Sequence, residues 1–215
     1  MELTELSKLE VDATIELLNH GVGRAADSLS KMVGEEILLT VPEFELVTYS
    51  QFESQINQFP SQDIQTLVQP FAGEFDGIGL WISSREASDK LSEQILSKTK
   101  IDPKMKGIKD DLFKEVGNIL LNACVGQLAE LIESPLNCGV PELKRSRTSD
   151  LMPLIMREVD QFSQQQSILM LHVNFSVQSI SMVSVVALVL DELAQEDLSQ
   201  KVKTYLLHLL EKFKT

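Results

Sequence analysis

Asp12-Ala13-Thr14-Ile15-Glu16-Leu17-Leu18-Asn19 and Asp111-Leu112-Phe113-Lys114-Glu115-Val116-Gly117-Asn118 decide how this chain is built. Three positions agree between the two stretches, each displaced by 99 residues, and a distant proline agrees with them: Pro42 follows the first stretch and Pro141 the second at the same spacing. Both copies read Asp-x-x-x-Glu-x-x-Asn, then 22 residues, then Pro. Self-similarity at a fixed offset is the mark of an internal repeat. The chain is therefore expected to hold two related halves, about 1–100 and 101–215, in one domain.

On an α-helix each residue turns about 100°, so positions i, i+4 and i+7 share a narrow face. Asp12, Glu16 and Asn19 form such a ridge, about 110° from the apolar stripe Ile15, Leu18, Val22, Ala25, Leu29 and Met32. In the second copy Leu121, Cys124, Leu128 and Leu131 supply the stripe, and Asp111, Glu115 and Asn118 the ridge. One such triad is ordinarily a solvated helix face. Its duplication, while intervening residues differ, is not ordinary, and Asn has no helix propensity to bring it to mid-helix twice.

Working outward, each helix is followed by an apolar segment and the proline, then by paired strand-like runs. These are Ile64–Phe71 with Gly77–Ser83, and Ser167–Phe175 with Ile180–Leu190. Helical patterns at Glu86–Ser97 and Leu198–Phe213 close the halves. Each half reads helix, strand, strand pair, helix. Pro42 and Pro141 are expected at strand starts or edges, Gln58–Ser61 and Ser146–Asp150 as loops, and Pro103 at a helix start. The junction from Lys98 to Lys109 is too short and mixed for a flexible linker, so the halves are expected to share a sheet or a core.

The 215 residues are 43% apolar and 24% charged, the range of ordinary globular proteins. A net charge of −13 opposes sequence-independent attraction to nucleic acid or anionic lipid. The Lys98–Lys109 lysines and Lys144-Arg145-Ser146-Arg147 are local exceptions, read as a solvated face and a solvated loop. The apolar stretch Ile168–Leu190 is interrupted by His172, Asn174, Gln178 and serines, and predicts a buried hairpin rather than a membrane span. Met-Glu-Leu-Thr-Glu is unlike a signal peptide, and two cysteines make no disulfide framework, so the expected compartment is the cytoplasm and Cys124 and Cys138 are structural. No Gly-x-Ser-x-Gly, Walker loop, His-Glu-x-x-His or Cys-x-x-Cys is present. No metal ligands are assigned.

The duplicated motif resembles that of the CheC, CheX and FliY phosphatases of bacterial chemotaxis: an acidic or Ser residue, Glu four later, Asn three after that, and Pro beyond 22 more residues. The two-half plan is most like a two-site CheC. The resemblance implies an α+β, pseudo-twofold duplicated fold, an antiparallel sheet flanked by long helices, without the additional flagellar domain of FliY-type switch proteins. It also implies an activity, removal of the aspartyl phosphate from the receiver domain of a CheY-type response regulator. By that resemblance Asn19 and Asn118 align the attacking water, Glu16 and Glu115 pair with the receiver's lysine, and Asp12 and Asp111 contact its rim or cap their helices. Pro42 and Pro141 are structural markers. The chain needs no cofactor of its own, because Mg²⁺ comes with the bound receiver. A monomer is expected, and a stimulating partner such as CheD is compatible with the resemblance. After Asn19 the first copy continues His20-Gly21-Val22-Gly23-Arg24, whereas the second continues Ile119-Leu120-Leu121-Asn122, so the two sites are expected to differ in activity. Two rival readings use the same ridges: a module that grips a phosphorylated receiver without hydrolysis, and a structural component of the flagellar switch.

Overall fold

The computed structural model describes residues 8–74, 76–131, 133–158, 167–177, 180–190 and 204. In chain order these form α1 (Lys8–Val33), β1 (Ile37–Thr48), α2 (Tyr49–Asn57), β2 (Asp63–Ala72), β3 (Gly77–Ser84), α3 (Arg85–Lys98), α4 (Ile108–Leu131), β4 (Asn137–Cys138), β5 (Glu142–Arg147), α5 (Thr148–Glu158), β6 (Ser167–Val177) and β7 (Ile180–Leu190). The fold is α+β, with every strand pair antiparallel.

One seven-stranded sheet runs in the order β1-β6-β7-β3-β2-β4, with β5 also paired to β2. The order interleaves the halves. Each half's hairpin, β2–β3 or β6–β7, meets the other at the centre through β3 and β7, while each half's first strand crosses to the other half's hairpin. Both faces of the sheet are covered at its centre, so β3 and β7 are near-continuously buried there. The β6–β7 hairpin expected from Ile168–Leu190 is present, with Ile168 opposite Val189 and Val177 opposite Ile180.

On one face α1, α3 and α4 pack over Leu67, Phe71, Trp81, Leu169, Leu171, Val173 and Val186. The Trp81 ring stacks on Phe113 of α4 at 4.4 Å. On the other face Phe52 and Ile56 of α2 and Leu151, Met152 and Ile155 of α5 cover Ile64, Val68, Leu80, Ile82 and Met170.

Each outer strand carries one extra residue at the motif's proline. Along β1 the pairing passes from Thr40 opposite Asn174 to Glu43 opposite His172, so Val41 and Pro42 together face Val173. On the far edge Phe71 pairs with Cys138 but Val68 with Glu142, so Gly139, Val140 and Pro141 face Gln69 and Pro70. A bulge leaves backbone groups outside the ladder and exchanges the faces of all residues beyond it. Thus Ile37, Leu39 and Val41 lie in the α1/α4 core, while Val47 lies in the α2/α5 core. Both prolines sit at edge-strand bulges, where a missing N–H costs nothing.

Four expectations need correction. Each half contains a further helix, α2 or α5, between its first strand and its hairpin. Ser146–Asp150 is not a loop but the end of β5 and the start of α5, and the basic run is an edge strand rather than a solvated loop. There Arg145 donates to Gln65 Oε1 at 2.9 Å and pairs with Asp110, and Lys144 pairs with Glu142. Pro103 lies in a turn, with α4 beginning at Ile108. Of the predicted helix Leu198–Phe213 only Thr204, helical and exposed, is among the described residues.

Candidate functional site

The two acid–amide ridges lie on α1 and α4, the helices that pack together on one face of the sheet. Asp12, Glu16, Asp111 and Glu115 are exposed, while Asn19 and Asn118 are partly buried at the helix–sheet boundary. Each Glu therefore faces solvent, and each Asn stands beside its half's bulged strand. Asp111 is tied to Lys114 at 3.1 Å within its own first turn, consistent with an acidic residue near a helix N-terminus.

The two amides are used differently. Asn19 Nδ2 donates to Ile15 O at 3.0 Å and to Val41 O at 2.9 Å, and Asn19 Oδ1 accepts from Val41 N at 2.7 Å. Both its N–H bonds are thereby spent on backbone. The amide supplies the partners that the bulge denies to Val41, which accounts physically for an Asn 22 residues before a bulge residue followed by Pro. Asn118 does not reach its bulge in this way. Its Oδ1 accepts from Gln69 Nε2 at 3.0 Å and from Asn122 Nδ2 at 3.2 Å, and its Nδ2 has no hydrogen-bond partner among the described residues. Gln69 Nε2 also approaches Asn122 Oδ1 and Gly139 O, each at 3.0 Å. The cause of the asymmetry is the residue opposite the proline: Val173 in the first half, which offers nothing to an amide, and buried Gln69 in the second, which intercepts it.

No family model matches the chain. Among solved structures, FliY of Thermotoga maritima superposes with a TM-score of 0.68 at 16% identity, over 93% of this chain and 98% of that one. The FliM middle domain of H. pylori gives 0.60 at 12%, over 91% and 99%. CheX from Desulfovibrio desulfuricans gives 0.50 at 12%, over 82% and 100%. The chain has the CheC/CheX/FliY fold.

Within this fold the sequence-predicted residues fall into two separate groups, Asp12, Glu16 and Asn19 on α1 and Asp111, Glu115 and Asn118 on α4. Around the first, Gly21 allows α1 to approach α4 so closely that an added Cβ would lie 2.1 Å from Gln127 Cγ, and Arg24 pairs with Glu130 at 2.9 Å. The glycine after Asn19 thus serves helix packing. Sequence reasoning missed Gln69. The available signal was a polar residue at an inward position of an apolar strand, and a buried amide at such a place needs a specific partner. Cys124 is inert: burial pushes its thiol up to about 12. Among the described residues no helix is long and apolar enough to cross a membrane.

Proposed function

We propose that the chain is a phosphatase for the aspartyl phosphate of CheY-type receiver domains, and that the Glu115–Asn118 pair is its stronger site. The observation that carries this is the state of Asn118: its oxygen is held by Gln69 and Asn122, which leaves its Nδ2 as a pre-oriented donor one turn from exposed Glu115. The fold shared with FliY and CheX supports the class of substrate. A receiver's own Mg²⁺ and lysine already clamp the phosphoryl group, so what remains to be supplied is a placed water. Asn118 would align that water for in-line attack, and Glu115 would pair with the receiver's lysine. An amide is no base, so its contribution is positioning. Asn19 would have to give up two donor bonds before it could do the same, which makes Glu16–Asn19 the weaker site.

A second reading, a structural component of a flagellar switch, is favoured by the same Asn19 clamp, which explains the first motif without any catalysis. The shared fold of the FliM middle domain supports it. Decay of acetyl-phosphate-labelled CheY-type receiver separates the two. Wild type should accelerate decay, Asn118→Ala should remove most of the acceleration, and the Asn19→Ala, Asn118→Ala double variant should return the spontaneous rate. If wild type leaves decay of the receivers from its own organism unchanged, the phosphatase reading falls and the structural one stands.

A further inference from the structure

The other face of the sheet carries a cluster that the motif does not explain. Beyond the Pro42 bulge, Glu43 and Glu45 turn toward the α2/α5 face, and His172, directly opposite Glu43 on β6, joins them. One donor atom from each lies within 4.8 Å of the other two. His172 Nε2 is shielded from solvent and has no hydrogen-bond partner among the described residues. Its nearest carboxylate oxygen, Glu45 Oε1, is 3.7 Å away, too far for a hydrogen bond. The second Glu45 oxygen accepts from Gln55 Nε2 at 2.9 Å, which fixes the carboxylate's orientation. A cavity of about 270 Å³, lined by Gln55, Phe59, Met170 and His172 among others, adjoins the imidazole.

The repeat supplies an internal control. At the equivalent places beyond the Pro141 bulge stand Glu142 and Lys144, paired with each other at 2.8 Å, and the residue opposite Glu142 is Val68. There the strand balances its own charge. In the first half a second carboxylate replaces the ammonium and an imidazole replaces the valine, so two acids and an imidazole nitrogen converge, and among the described residues no Lys or Arg pairs with either acid.

We propose that Glu43, Glu45 and His172 bind a divalent metal ion of the Zn²⁺ class. Imidazole nitrogen with two carboxylates is a donor set such ions accept, at about 2.0–2.2 Å each, which in a tetrahedron sets donors about 3.4 Å apart. Side-chain adjustment of about 1 Å closes the trio to that spacing, with Gln55 as the outer partner that orients Glu45. The fourth position would take water or a small anionic ligand. The ion would also tie edge strand β1 to β6 just past the bulge. This site is independent of the phosphatase reading, since it lies on the opposite face of the sheet from Asn118. It differs from the sequence-based expectation, in which no metal ligands are assigned.

Titration of the full chain with Zn²⁺ alone, by calorimetry and against a chromophoric chelator, tests the assignment. One ion per chain should bind, the thermal midpoint should rise, and His172→Ala and Glu45→Gln should each weaken binding at least tenfold. Co²⁺ should give a four-coordinate visible spectrum that His172→Ala abolishes. Should His172→Ala fail to fold, Glu43→Gln at an exposed position gives the same reading. Absence of stoichiometric binding, or binding that survives these substitutions, overturns the proposal.

Discussion

Asn19 and Asn118 have the same sequence environment at the level of spacing and opposite fates at the level of bonds. Replacing Asn19 by Ala removes three hydrogen bonds and leaves both polar groups of buried Val41 unmatched. Net hydrogen bonds contribute about 1 kcal/mol each and orphaned buried groups cost about 1–3 kcal/mol, so a loss of roughly 2–4 kcal/mol is expected in urea unfolding. Asn118→Ala should cost only about 1 kcal/mol, because Gln69 keeps Gly139 O and Asn122 as acceptors. Equal losses would overturn the clamp. The ridge itself was legible in the sequence. The use of each amide was not, because it depends on which residue, Val173 or Gln69, the sheet places opposite the bulge. Cys124 offers a further test at this scale. A thiol whose folded pKa lies near 12 rather than 9 contributes stability that is whole below about pH 9 and is lost as pH rises toward 12. The decline attributable to it is about 1.4 kcal/mol per pH unit. Cys124→Ala should flatten that part of the unfolding curve against pH, and native Cys124 should resist iodoacetamide.

Among the elements, α4 sits on the sheet through a glycine. A Cβ at Gly117 would come within 2.5 Å of Leu67 Cδ2 and 2.6 Å of Trp81 Cε3, both fully buried. Overpacking of this kind costs about 1–3 kcal/mol, so Gly117→Ala should lower the thermal midpoint by several degrees, despite the better helix propensity of Ala. A midpoint that rises instead would mean α4 can lift off the sheet without penalty, and the stacked Trp81–Phe113 pair does not fix its height. The long helices and both hairpins were readable because periodicity persists over many residues. The short helices escaped for local reasons. Thr48 and Gln51 form a capping box that the sequence displays, but the nine residues of α2 are too few for an apolar stripe to declare itself. In α5, Pro153 stands inside the helix and reads as a breaker. Nor could any local pattern reveal that β1 pairs with β6, since the register crosses more than a hundred residues of chain.

That crossing governs the whole molecule. If each half were an autonomous unit, its first strand would pair with its own hairpin; instead β1 lies on β6 and β5 on β2. A fragment of residues 1–100 would leave β1 without a partner and expose Ile37, Leu39, Val41 and Val47, all buried in the full chain. A fragment of residues 101–215 would leave β5 without β2, and strip the β6–β7 hairpin of both outer neighbours. An isolated hairpin is marginal in water, so neither fragment should fold alone. The full chain should unfold in one transition seen alike by fluorescence of Trp81, which touches both α4 and β7, and by far-ultraviolet circular dichroism. Co-expressed fragments should restore the fold, because each supplies the strand the other lacks, and their joint unfolding midpoint should depend on concentration. A fragment of 1–100 that unfolds cooperatively by itself would show that its strands re-pair within the half. The interleaved sheet would then be one of two arrangements open to the sequence, and the bulges, with the Asn19 clamp that secures one of them, would be the features that select it.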